Sequence, residues 1–250
     1  MWRIDGQVAL VTGSSRGIGR GVAVALAESG ASVAVTARRH QDLDGILAEL
    51  RTAGHTAIGV ELDVRDTGSI GRAVEQVVQA LGPIDILVNN AGMQRLRLAL
   101  EVTEDDWDAV LDTNLRGAFF VAQAVGRGMV ERGCGRIVNI ASLAAFRAGR
   151  ERAAYNSSKA GLAMLTRTLA IEWGPAGVTV NGVAPTFVET ELAALTLDRP
   201  GERERVIESI PLGRLPTVAD VAAAVLFLVA PASAVISGAV IPVDGGLGAT

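Results

Sequence analysis

The chain has 250 residues, 49% of them hydrophobic, 20% charged and only 4% aromatic, with a formal net charge of −4. That length fits one large α/β domain or two small ones and can bury a sizeable core, while the mild acidity offers no long-range attraction for nucleic acid or an anionic membrane, though a local basic pocket stays open. Cys134 is the single cysteine and His40 and His55 are the only histidines, which excludes an intramolecular disulfide and leaves no set for a catalytic transition metal.

The N-terminal stretch MWRIDGQVALVTG lacks the basic segment, long apolar run and cleavage site of a secretion signal. QVALVT opens the fold as a short buried strand, and GIGRGVAVALAESG follows as a helix that stops at Gly30. SVAVTA is the second strand, and QDLDGILAELRTAG the second helix, stopping at Gly54. TAIGVEL, then the helix DTGSIGRAVEQVVQALG before Pro83, then IDILVN continue the alternation. A helical pattern runs from Glu104 to about Arg132 and leads into GRIVNIA. A further helix spans Ala153 to about Trp173 and leads into VTVNGVA. A last helix from Val218 to about Val229 contains VAAAVLFLVA, which is too short to span a bilayer, and AVIPVD closes the chain. These observations predict a soluble, cytoplasmic protein.

The apolar runs are continuous and not alternating, as strands covered on both faces require. Strand then helix, about six times over, predicts an α/β fold: a doubly wound, Rossmann-type parallel sheet of about seven strands with helices on both faces. No linker or repeat divides residues 1–250, so one domain is expected. Residues 186–216 break the rhythm. They read as a helical insertion after a strand end, placed to act as a small lid or to run as a plain surface excursion.

The first strand runs into Thr12-Gly13-Ser14-Ser15-Arg16-Gly17-Ile18-Gly19. A strand, a glycine-rich turn and a helix make an anion site, because backbone N–H groups and the helix N-terminus face a pyrophosphate. The spacing is G-x-x-x-G-x-G and departs from the general G-x-G-x-x-G fingerprint. The second strand ends on Thr36-Ala37-Arg38-Arg39. No carboxylate stands there to hold a ribose 2′-hydroxyl. Arg38 offers a planar cation suited to a 2′-phosphate, and Arg16 a second charge, so NADP(H) is expected over NAD(H). The alternative is that Arg38 and Arg39 are merely solvated.

Tyr155 and Lys159 lie four residues apart in AAYNSSKA, hence on one helix face. Alone, the pair would as readily decorate a surface. Ser142 stands thirteen residues upstream of Tyr155, and Asn89-Asn90-Ala91-Gly92 follows the fourth strand. With TGSSRGIG, these pieces resemble the short-chain dehydrogenase/reductase family over essentially the whole chain. The resemblance implies a catalytic tetrad of Asn114, Ser142, Tyr155 and Lys159. It implies a cofactor turn of Gly13, Ser15, Arg16, Gly17, Ile18 and Gly19. It makes Asp63 and Val64 adenine contacts, and Asn90, Ala91 and Gly92 the motif after the fourth strand. Pro185, Val188 and Thr190 then border the nicotinamide. The family's usual Pro-Gly is Pro185-Thr186 here, which predicts a stiffer loop.

On this resemblance Tyr155 is the general acid or base. A free phenol, with a pKa of about 10, is poorly matched to that work near neutral pH. A nearby ammonium and an oxidised nicotinamide would both favour the phenolate. Lys159 would also hold the nicotinamide ribose, Ser142 the substrate oxygen, and Asn114 a water on the proton path. A homotetramer with its closing strand at an interface is implied too.

Three segments face the substrate by this reading: after NNAG, after Ser142, and from Pro185. Arg95, Arg147 and Arg150 lie in the first two, suited to a carboxylate-bearing small molecule, or else to surface acids and a subunit interface. Residues 89–125 are similar to the sugar-acid dehydrogenases of the family, of the gluconate 5-dehydrogenase kind. The 3-oxoacyl-carrier-protein reductases resemble the chain about as well. A dinucleotide sensor without catalysis has no need of the tetrad, and the epimerase or dehydratase relatives carry longer C-terminal domains.

Overall fold

Each β-branched run becomes one strand of a parallel sheet in the computed structural model, which describes residues 2–249. The strands are β1 (Val8–Val11), β2 (Ser32–Ala37), β3 (Ala57–Glu61), β4 (Ile86–Asn89), β5 (Gly135–Ile140), β6 (Val178–Pro185) and β7 (Val240–Val243). Their order is β3-β2-β1-β4-β5-β6-β7, and every neighbouring pair is parallel. The order reverses between β1 and β4. That switch point is where the carboxyl ends of an open α/β sheet part to admit a ligand.

The helices are α1 (Gly17–Glu28), α2 (Asp44–Thr52), α3 (Thr67–Leu81), α4 (Glu104–Leu111), α5 (Gly117–Arg132), α6 (Ala153–Trp173), α7 (Glu191–Leu197), α8 (Glu202–Ser209) and α9 (Val218–Val229). Alternate residues of β1 serve opposite layers. Ala9 and Val11 pack with Leu26 of α1, Ile46 of α2 and Val225 of α9. Val8 and Leu10 pack with Val77 of α3, Val121 of α5 and Leu169 of α6. Both faces of the sheet are therefore apolar, which is why the strands read as unbroken hydrophobic runs. Among the described residues no helix is long and apolar enough to cross a membrane.

The pattern from Glu104 to Arg132 does not form one regular helix. A π turn over Asp112–Arg116 separates α4 from α5, with the Gly117 N–H donating to the Asp112 carbonyl. A Cβ on Gly117 would lie 2.7 Å from the Val64 carbonyl oxygen, so only glycine lets α5 pass so close to the loop after β3. The wide turn carries Asn114 into the interior, where it is fully buried.

The excursion after β6 folds into α7 and α8. Ala193, Leu197, Val206 and Ile210 pack on Leu143 and Leu247 as an apolar cluster apart from the sheet core.

Candidate active site

The glycine turn is shaped by hydrogen bonds from three strands. The Gly13 N–H donates to Thr36 Oγ1 at 3.1 Å, and the Ser14 hydroxyl donates to the Val11 carbonyl at 3.0 Å. Thr12 Oγ1 accepts from the backbone N–H groups of Asn90 and Ala91, both at 2.9 Å. The Asn90 amide donates to the carbonyls of Thr12 at 3.0 Å and Gly13 at 2.9 Å. A Cβ on Gly19 would stand 2.3 Å from that amide nitrogen and 2.6 Å from the Gly13 oxygen. Helix α1 thus begins pressed against the turn. No side chain caps it, and its first turn holds no acid. Its orphan N–H groups are left for an anion, so the residues present fit a dinucleotide pyrophosphate.

The two arginines after β2 part ways. Arg39 donates to both carboxylate oxygens of Asp42, at 3.1 and 2.8 Å. Arg38 is exposed and forms no ion pair among the described residues. Arg16 reaches across to Glu191 of α7. Val64 is buried. Asp63 Oδ1 accepts from the Arg65 N–H at 2.9 Å. Burial works to raise the Asp63 pKa, but the Arg65 bonds and the charges of Arg65 and Arg38 outweigh it and hold the carboxylate below its usual range.

A cleft of about 700 Å³ opens beside this turn, lined by Ile18, Asn90, Gly92, Ser142, Tyr155 and Lys159, and on its far side by Pro185, Val188 and Thr190. Thr190 caps α7, its hydroxyl accepting the Ala193 N–H at 3.4 Å. Ser142 sits at the end of β5 and accepts the Ala144 N–H at 3.1 Å. Tyr155 is buried against Val110 and Ala154. Burial pushes its phenol up, while a hydrogen bond with Ser142 and the charge of Arg152 pull it back. Lys159 is buried as well, and burial lowers it to about 8. Its ammonium donates to the Ile140 carbonyl at 2.7 Å and lies 5.9 Å from the centroid of the Tyr155 ring. The sequence suggested that this ammonium tunes the phenol. The charge of Arg152 bears on the phenol as well.

Asn114 holds the wall behind the pair. Its Oδ1 accepts the Met93 N–H at 2.8 Å, and its Nδ2 donates to the Met93 carbonyl at 2.9 Å and to Ser158 Oγ at 3.0 Å. Ser158 donates in turn to the Tyr155 carbonyl at 2.7 Å. The Asn114 side chain therefore braces the loop after NNAG against α6.

The arginine expectations divide. Arg147 and Arg150 line the cleft, and Arg147 donates to the Leu247 carbonyl at 2.8 Å. Arg95 lies outside the lining, its Nε 3.8 Å from Asp106 of α4, an acid that also draws Arg97. Sequence reasoning missed Arg152, which lines the same cleft one helical turn before Tyr155. The (i, i+3) spacing to Tyr155 was the signal available.

A buried phenol and a buried ammonium thus share one cleft with the glycine turn. A family model described as enoyl-(acyl carrier protein) reductase, of the short-chain alcohol dehydrogenase type, matches residues 13–248. D-threitol dehydrogenase of Mycolicibacterium smegmatis is 42% identical over 245 residues, 98% of this chain and 94% of that protein. The chain belongs to the short-chain dehydrogenase/reductase family. The 3-oxoacyl-(acyl-carrier-protein) reductase of Aquifex aeolicus is 40% identical over 246 residues, 98% of each chain. A gluconate 5-dehydrogenase of Burkholderia cenocepacia, solved in complex with NADP and tartrate, superposes with a TM-score of 0.96 at 37% identity, over 100% of this chain and 98% of that one. As a short-chain dehydrogenase/reductase, the chain is an oxidoreductase acting on CH–OH and carbonyl groups.

Proposed function

We propose that this oxidoreductase interconverts the secondary alcohol of a small hydroxy acid and the ketone of a keto-acid, with NADP(H) as its cofactor. The observation that carries the reading is the buried Tyr155 phenol, sharing with Ser142 and Lys159 the cleft that opens beside the glycine turn. The uncapped start of α1, the glycine cradle and Asn90 would hold the pyrophosphate, Arg38 the 2′-phosphate, and Asp63 and Val64 the adenine. Ala91, Gly92, Pro185, Val188 and Thr190 would border the nicotinamide, with Lys159 on its ribose. When bound, the nicotinamide supplies a hydride to the carbonyl carbon. Tyr155 gives the proton to the carbonyl oxygen, and Ser142 hydrogen-bonds the same oxygen and stabilises its developing charge. Asn114 keeps the wall of the site in place through Met93 and Ser158.

The arginines facing the cleft support an anionic substrate, and the Burkholderia relative was crystallised with the dicarboxylate tartrate. The carrier-protein alternative needs free cations on the outer face. Around the cleft mouth, Arg199 is tied to Glu151, Arg203 to Glu189 and Arg205 to Glu202. A cofactor sensor without chemistry would have no use for the full tetrad. We also propose that residues 186–216 act as a lid. The exposed Trp107, Met164 and Ile171 suit a homotetramer, and the lone exposed Cys134 suits a reducing cytoplasm.

The test is a parallel titration with NADPH and NADH, then turnover of a carbonyl panel by the wild-type protein and Tyr155→Phe. NADPH should bind more tightly than NADH. Tyr155→Phe should bind NADPH like the wild type and lose roughly 10²–10⁴-fold in turnover. Retained turnover overturns the role of Tyr155, and tighter NADH binding overturns that of Arg38.

A further inference from the structure

Arg152 precedes the first turn of α6 and lines the cleft. Its guanidinium carbon lies 4.9 Å from the centroid of the Phe187 ring. Its Nη2 donates to Thr196 Oγ1 at 2.7 Å. An aromatic face below and a hydroxyl at one corner fix the plane of the guanidinium. Of its five N–H donors, the Thr196 bond uses one. The group is half-buried, and burial is the main force on its proton affinity, pulling it below the usual arginine range.

A cation taken out of water is costly unless a carboxylate stands beside it. Among the described residues, none is in ion-pair range of Arg152. The acid that acts on it most is the Tyr155 phenol, which is neutral in its resting form, and the carboxylates that act on it from a distance are committed elsewhere. Glu151 accepts from Arg199 at 2.7 Å, and Glu202 lies 3.3 Å from Arg205. Glu151 holds its position with a φ of 64°, a conformation unusual for a residue with a side chain. Arg152 is thus an oriented, partly desolvated, unneutralised cation facing the cavity that holds Tyr155.

We propose that Arg152 anchors the carboxylate of the substrate, so that the enzyme selects hydroxy acids and keto-acids over neutral polyols and ketones. The proposal rests on the hydroxy-acid reading above and names the group that recognises its substrate. The planar guanidinium matches a carboxylate through two parallel N–H···O bonds. Arg152 and Tyr155 line the same cleft and act on one another electrostatically, so one small molecule there meets both. Thr196 belongs to α7, so an anion on Arg152 also fastens the excursion over the site.

Tartrate and threitol share a four-carbon diol skeleton and differ in charge. They serve as probes, titrated by calorimetry into the NADP⁺-loaded wild type, Arg152→Met and Arg152→Lys. NADPH titration of each variant first establishes that it is folded. Tartrate should bind the wild type, weaken by roughly 10–150-fold in Arg152→Met, the range of one charge-assisted contact, and recover in part in Arg152→Lys. Threitol binding should change far less. Tartrate affinity indifferent to Arg152→Met, an equal loss for threitol, or no tartrate binding to the wild type overturns the proposal. Oxidation of a hydroxy-acid panel with NADP⁺ separates the two claims. Arg152-dependent tartrate binding without oxidation of any panel member leaves the anion site standing and sinks the hydroxy-acid reading of the substrate.

Discussion

At the residue scale, burial sets the chemistry of the Tyr155–Lys159 pair. It disfavours the charged form of each, so the phenol rises and the ammonium falls to about 8. Below about pH 8, folded and unfolded chains both hold the lysine proton, and the folded chain carries the full cost of a buried charge. Between about 8 and 10.5 the folded chain has released the proton and the unfolded chain has not, so stability rises with pH across that window. The shift from 10.5 to about 8 corresponds to about 3 kcal/mol. Lys159→Met removes that cost and leaves the Ile140 carbonyl without its partner, a loss of about 1–2 kcal/mol. The variant should therefore be the more stable protein by about 1–2 kcal/mol at pH 7 without cofactor. At pH 10 the gain should vanish or reverse, because the wild-type lysine is then neutral when folded. Denaturant unfolding at the two pH values checks this, and a gain that persists at pH 10 contradicts it. That Ser142, Tyr155 and Lys159 meet in one cleft was legible, because their order and spacing carry the family resemblance. Arg152 was not, since its meaning depends on Phe187 and Thr196, more than thirty residues on. Arg95 misled for the same reason, because Asp106 holds it outside the cleft.

At the scale of elements, the close approach of α1 to the glycine turn should be the least forgiving contact. Gly19→Ala puts a methyl into the Asn90 amide, which cannot yield without releasing its bonds to Thr12 and Gly13. The expected cost is about 1–3 kcal/mol of stability, together with most of the NADPH affinity. Gly71→Ala is the control. A Cβ there meets nothing within 4 Å in the exposed face of α3, so it should stabilise by about 0.5–1 kcal/mol. Thermal melts with and without NADPH distinguish the two, and equal behaviour of the variants would show that the cradle is loose. Strand positions were readable to within a residue or two, because unbroken β-branched runs have few other uses. The π turn was not. The side-chain pattern of residues 104–132 is helical throughout, and the close pass of Gly117 by the Val64 carbonyl beside the widened turn is a contact between distant parts of the chain.

At the scale of the whole molecule, two kinds of packing meet at the cleft. The glycine turn, Ser142 and Tyr155 are fixed by β1, β5 and α6, whose side chains belong to cores on both faces of the sheet. The opposite wall, α7 and α8, rests on its own small apolar cluster and on exposed ion pairs such as Arg203 with Glu189. Exposed pairs contribute about 0–1 kcal/mol each, so this wall should open at far lower free energy than the sheet. Amide hydrogen exchange should then be fast over residues 186–216 and slow in β1, β4 and β5 of the free protein. Three contacts tie the excursion to the cleft and the glycine turn: Arg16 with Glu191, the Gln94 amide with the Leu192 carbonyl, and Arg152 with Thr196. Bound NADP⁺ with tartrate should slow exchange in 186–216 and leave the central strands unchanged, as a segment that closes over the site requires. Protection spread evenly over sheet and excursion would mean general stabilisation by ligand, and the excursion would be a fixed wall and not a lid.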